Sequence, residues 1–146
     1  MSALWLALHF PLLALEAEHG PRPEPRVLVR ANRVLLANPA ARAAGVEAGL
    51  RLGTARALCE TLEVHEARAD QQHQALLREA RQLLALTPQV CPAPPATVLL
   101  EVGGCLKLFG GFKPLLARVD RYRLYCPLTS RLGIGPTPLA AWHLTD

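Results

Sequence analysis

Thr97-Val98-Leu99-Leu100-Glu101-Val102-Gly103-Gly104-Cys105-Leu106-Lys107-Leu108-Phe109 reads as two apolar strands, Thr97 to Val102 and Cys105 to Phe109, closed by a glycine pair. A glycine turn accepts the positive φ that a tight hairpin needs, so the run predicts a β-hairpin at the centre of the fold. Upstream, Leu4-Trp5-Leu6-Ala7-Leu8 is a short apolar run stopped by His9, Phe10 and Pro11, as suits a strand buried on both faces. From Asp70 an amphipathic helix carries Leu76, Leu77, Ala80, Leu83, Leu84 and Leu86 at three- and four-residue spacing and ends before Pro88. Downstream come a helix from about Phe112 to Tyr122, a strand Ser130 to Ile134, and a helix opened by Pro136-Thr137-Pro138.

With residues 11–68 set aside as an insertion, the order is β, α, β, β, α, β with one helix after it. That is an α+β arrangement of the ferredoxin-like, split βαβ kind. Right-handed crossovers place the first strand beside the third, with its C-terminal end at the hairpin turn. This predicts that Ala7, Leu8 and His9 lie next to Gly103 and Gly104.

The insertion has its own signals. Gly20-Pro21-Arg22-Pro23-Glu24-Pro25 is a rigid polar connector, and Arg26 to Arg30 and Arg33 to Ala37 read as strands around Ala31-Asn32. Asn38 before Pro39 is an N-cap with proline at the first helical position, Gly45 ends that helix, and Thr54 starts another through Cys59. The predicted boundaries are residues 1–10, 11–68 and 69–146.

The formal charge is +4, carried by arginines scattered from Arg22 to Arg131, which favours nucleic acid only weakly over an ordinary solvated surface. Cys59, Cys91, Cys105 and Cys126 form no C-x-x-C pair and read as small buried hydrophobes of a reducing cytoplasm. The opening lacks a basic segment before Leu4, and His9 and Pro11 break its apolar run, against a secretory signal. No later apolar run nears the roughly 18 to 20 residues needed to span a bilayer.

A ferredoxin-like scaffold with such an insertion is one on which nucleotidyl-transfer enzymes hold two divalent ions, and that chemistry requires clustered carboxylates. The expected places hold Ala7, His9, Gly103 and Gly104, and the sole carboxylate on these strands is Glu101. One carboxylate and one imidazole do not make a magnesium pair site. Glu101 reads first as a strand-end acid and His9 as a satisfied strand-end histidine.

Four runs in order carry a family resemblance: Leu4 to Pro11, Ala37 to Gly49, Leu100 to Gly111 and Gly133 to Trp142. Together they resemble the ImuB type of the Y family of DNA polymerases, relatives of UmuC and DinB. The resemblance implies a palm with an inserted fingers subdomain, and the thumb and little-finger domains that follow in that family are not expected within the residues up to Asp146. Active members carry Asp-x-Asp on the first strand, which falls on Ala7 and His9. Their Ser-x-Asp-Glu motif falls on Glu101 to Gly104, so both acids become Gly103 and Gly104. The triphosphate-gripping tyrosine and arginine fall on Pro39 and Arg42, and a lysine contact falls on Trp142.

The resemblance thus implies a catalytically inactive protein of damage-induced mutagenesis and translesion synthesis, needing no metal or cofactor. Its partners would be weakly held DNA, ImuA, an error-prone C-family polymerase and the sliding clamp, although regions that would bind the protein partners appear absent. The phosphate-binding remnant is Arg42, and the DNA-contact candidates are Arg42, Arg51 and Arg56. Two other classes stay open: an enzyme recruiting a metal through His9 and Glu101, and an interaction module with no nucleic-acid role.

Overall fold

The structure is a computed structural model describing residues 3–17 and 20–145. In chain order the elements are β1 (Trp5–His9), α1 (Leu13–Glu16), β2 (Arg26–Arg30), β3 (Arg33–Ala37), α2 (Pro39–Ala43), α3 (Leu52–Leu58) and β4 (Glu63–Glu66). Then follow α4 (Ala69–Leu83), β5 (Val90–Ala93), β6 (Thr97–Glu101), a single 3-10 turn (Gly103–Cys105), α5 (Leu106–Phe109), α6 (Phe112–Tyr125), β7 (Arg131–Gly135) and α7 (Pro138–His143). Among the described residues no helix is long and apolar enough to cross a membrane.

The chain divides into two compact units, one of Met1–Leu13 with Gln72–Asp146 and one of Ala14–Gln71. The first holds a fully antiparallel sheet in the order β5-β6-β1-β7. Counting only its own strands, that order is second, third, first, fourth, which is the ferredoxin-like topology. Leu6, Ala7 and Leu8 are all fully buried, as the continuous apolar run requires. On one face α7 packs against β7, β1 and β6. It does so because Gly133 and Gly135 have no side chain: a Cβ on Gly133 would stand 1.9 Å from the Ala141 carbonyl oxygen. Helices α4 and α6 are tied to each other where the Tyr122 hydroxyl donates to Glu79 at 2.5 Å.

The central hairpin differs from the sequence expectation. Gly103 and Gly104 are not a turn between strands: they open the 3-10 turn, and Leu106–Phe109, expected as strand, is helical. The Glu101 carboxylate explains the local preference, because it accepts from the Gly103 amide at 2.8 Å and so caps that turn. The hairpin lies one element earlier, with β5 and β6 joined through Pro94, Pro95 and Ala96. Strand β5 contains Pro92, which a sheet tolerates only at an edge, and β5 is the edge strand.

The second unit is a three-stranded sheet, β3-β2-β4, with β2 and β3 antiparallel and β2 and β4 parallel. Ala31 and Asn32 turn the hairpin with φ of 50° and 66°, the left-handed values a two-residue turn needs. Val27, Val29, Val34, Ala37, Ala41, Val46, Ala55 and Cys59 form its core. Asn38 is almost fully buried. Its side-chain oxygen accepts from Ala41 N at 3.0 Å and Arg26 N at 2.9 Å, while its amide donates to the Glu24 carbonyl at 2.7 Å.

Candidate functional site

The C-terminal end of β1 is where the topology would assemble a metal site. Register pairs Ala7 with Leu99 and Gly133, and His9 with Thr97 and Arg131. The Phe10 amide donates to the Ala96 carbonyl at 2.8 Å, and the His9 Nδ1 and Thr97 Oγ1 are 2.9 Å apart. On β6 the residues that meet Ala7 and His9 are therefore Leu99 and Thr97, with Ala96 opposite Phe10 just beyond them. Gly103 and Gly104, expected there, lie at the opposite end of β1, where Val102 N donates to the Leu4 carbonyl. The crossover reasoning holds, but the strands that form the hairpin are β5 and β6.

The chemistry at this end of β1 is apolar. Ala7 has no exposure and clusters with Leu99 and Ala141, with Trp5, Ala93 and Trp142 packed around them. Thr97 is also buried. Hard divalent ions need several oxygen ligands, usually carboxylates, and Ala7, His9, Ala96 and Thr97 supply only one hydroxyl and one imidazole. Glu101 is held away from it: besides Gly103 N, its carboxylate accepts from Leu4 N at 3.2 Å. Among the described residues no group of three or more His, Cys, Asp or Glu is placed to hold a metal ion. These residues do not fit a metal pair.

A family model described as IMS, the impB/mucB/samB family, matches residues 12–146. The chain belongs to the impB/mucB/samB family. Comparison with curated proteins returns no match. Among solved structures, this family member is similar to the Dbh ternary complex (TM-score 0.80, 20% identity, 98% of this chain and 44% of that one). It is also similar to a Y-family DNA polymerase chimera containing Dbh (TM-score 0.78, 20% identity, 98% and 45%). DinB from Sulfolobus solfataricus gives a TM-score of 0.71 at 19% identity, over 98% of this chain and 45% of that one. The chain thus spans less than half the length of these structures, and its two units have the fold of a Y-family palm and fingers region.

In the second unit of this impB/mucB/samB member, Arg42 lies on α2, Arg51 is the N-cap residue of α3, and Arg56 lies on α3; all three are exposed. Pro39 opens α2, and Trp142 lies on α7, half-buried against the Ala7 cluster. Arg26 is different, being buried and spent within the fold. Its Nε donates to Glu63 at 2.9 Å, and its Nη2 lies 3.0 Å from His65 Nε2. The Arg26 hydrogen bond lowers the Glu63 pKa below the ordinary carboxylate range. Sequence reasoning missed β4, which carries both Glu63 and His65, and missed the backbone bridge that joins Arg33 to Arg51.

Proposed function

We propose that this chain is a non-catalytic, polymerase-like module of the ImuB type, which keeps the palm and fingers scaffold and meets DNA weakly without transferring nucleotides. The observation that carries the reading is the end of β1, where Ala7 is sealed under α7 and His9 is paired with Thr97. Two-metal nucleotidyl transfer needs carboxylates that clamp the attacking and leaving oxygens. None stands at Ala7, His9, Ala96, Thr97, Gly103 or Gly104. The grip on an incoming triphosphate is equally poor, because Pro39 and Trp142 occupy two of the positions that the resemblance assigns to it and only Arg42 is cationic.

By that resemblance the module serves damage-induced mutagenesis as an adaptor beside ImuA, an error-prone C-family polymerase and the sliding clamp. Of the four free cysteines only Cys59 is buried, with Cys91 exposed and Cys105 and Cys126 half-buried, so the expectation of four buried hydrophobes holds for one. A second reading, a protein-interaction module without a DNA role, is favoured by the exposure of Leu108, Leu124 and Tyr125.

A binding isotherm on duplex DNA over a salt series separates the two. The DNA reading expects a dissociation constant of about 10⁻⁴ to 10⁻⁶ M, a log-log slope near −3 from three or four phosphate contacts, and no sequence preference. Adding a deoxynucleoside triphosphate with Mg²⁺ should not tighten it. No binding at any salt supports the interaction module, and nucleotide-dependent tightening contradicts the non-catalytic reading.

A further inference from the structure

We propose that Arg30, Arg33 and Arg51 form a row that binds the sugar-phosphate backbone of a nucleic-acid strand; this rests on the DNA reading above and names the residues that carry it. The Ala31-Asn32 turn sets Arg30 directly opposite Arg33 in cross-strand register. Arg51 joins the row through an antiparallel bridge to Arg33. That bridge is fixed by flanking hydrogen bonds, Val34 N to Leu50 O and Leu52 N to Asn32 O, both 2.9 Å. Residues directly opposite across paired strands project from the same side, with strands about 4.8 Å apart. The three side chains therefore leave the backbone on one side, Arg30 and Arg33 from paired strands and Arg51 from the bridged residue that opens α3, and all three residues are exposed.

Among the described residues no ion pair balances that line, although Glu47 stands two residues before the Gly49 carbonyl that Arg33 holds. From Pro25 to Val46 the sequence holds no Asp or Glu. Arg33 Nη1 donates to the Gly49 carbonyl at 3.0 Å, which leaves its other donors available. Like charges set directly opposite each other destabilise a sheet, and the neighbouring core positions, Val29 and Val34, are filled without them. A bound polyanion relieves the repulsion.

The chemistry selects phosphates rather than bases. Between Ala14 and Gln71 there is no Phe, Tyr or Trp, so the unit has no aromatic ring on which a base could stack. Arginine's planar fork takes phosphate oxygens two at a time. A nucleic-acid strand offers such anions in succession, matching a row better than a single small anion does. Arg42 and Arg56 lie outside it.

The test uses the full chain and a fluorescent DNA duplex over a salt series. The R30Q/R33Q/R51Q variant should lose at least tenfold in affinity near about 100 mM salt and flatten the slope by roughly two to three units, with an unchanged or raised melting temperature. R81Q/K113Q/R121Q removes the same charge from exposed positions of the palm unit and should leave the slope within one unit. Should the triple variant unfold, R30Q/R51Q keeps the Arg33–Gly49 bond and is read in its place. Equal flattening in the control would reduce the effect to net charge and overturn the row. Wild-type-like binding by the row variant, with the slope lost instead in R42Q/R56Q, would overturn the row and leave the DNA reading standing. A wild-type chain that binds no DNA overturns both.

Discussion

Replacing Ala7 with Asp restores a carboxylate at the first-strand position and should be strongly destabilising at neutral pH. Ala7 has no solvent exposure and is enclosed by Leu99 and Ala141, with Trp5 and Trp142 against the same cluster. Burial disfavours the charged form, so the new carboxyl is driven to stay protonated. Holding an Asp of ordinary pKa about 3.9 neutral at pH 7 costs about 4 kcal/mol, and at pH 4 only about 0.5 kcal/mol. Steric overpacking under α7 adds a pH-independent cost of about 1 to 3 kcal/mol.

Because the folded-state pKa is raised, the electrostatic penalty exists above the unfolded pKa and disappears as the pH falls below it. Urea unfolding followed by tryptophan fluorescence measures this directly, since the chain's two tryptophans, Trp5 and Trp142, border the site. The expected difference between Ala7→Asp and wild type shrinks by roughly 3 to 4 kcal/mol between pH 7 and pH 4. A variant as stable as wild type at pH 7 would show that water reaches the position, and the reading of a sealed, non-catalytic site would fail.

Other substitutions follow from the same structure. Gly133→Ala drives a methyl into the Ala141 carbonyl and should cost about 3 kcal/mol or more in urea unfolding, whereas Gly104→Ala meets open space and should change stability by less than about 1 kcal/mol. Asn38→Ala removes a helix cap and leaves the Arg26 amide and the Glu24 carbonyl without a partner. Its cost of about 3 kcal/mol should appear as roughly hundredfold faster hydrogen exchange at the Arg26 and Ala41 amides. Tyr122 has a pKa raised well above the ordinary phenol range, first by burial and then by its bond to Glu79. The stability it lends is therefore present below about pH 10 and lost as pH rises beyond, and Tyr122→Phe should abolish that alkaline loss in a pH series of denaturation curves.

What the sequence revealed, and what it hid, has physical causes. Strand β1, the Ala31-Asn32 hairpin, the Asn38-Pro39 helix start and the long helix α4 were legible because each rests on local chemistry: an apolar run, a left-handed turn, a cap, a 3.6-residue period. Strand β5 was hidden by Pro92, and β4 by its composition, since Glu63-Val64-His65-Glu66 offers no apolar run and pairs through Arg26 from a distant segment. With β5 missed, β6 was read as the hairpin's first strand instead of its second. The topology then placed Gly103 and Gly104 where Ala96 and Thr97 stand. The row of Arg30, Arg33 and Arg51 was equally out of reach, because a backbone bridge to Arg51 leaves no trace in spacing.

Primer extension tests the central claim most directly. The chain is mixed with a primed template, all four deoxynucleoside triphosphates and Mg²⁺ or Mn²⁺, at a concentration at which DNA binding has been shown. The expected result is no extension above the protein-free control, in wild type and in Glu101→Ala alike, because Glu101 caps a turn and the end of β1 lacks carboxylates. Template-dependent extension that vanishes in Glu101→Ala would contradict it.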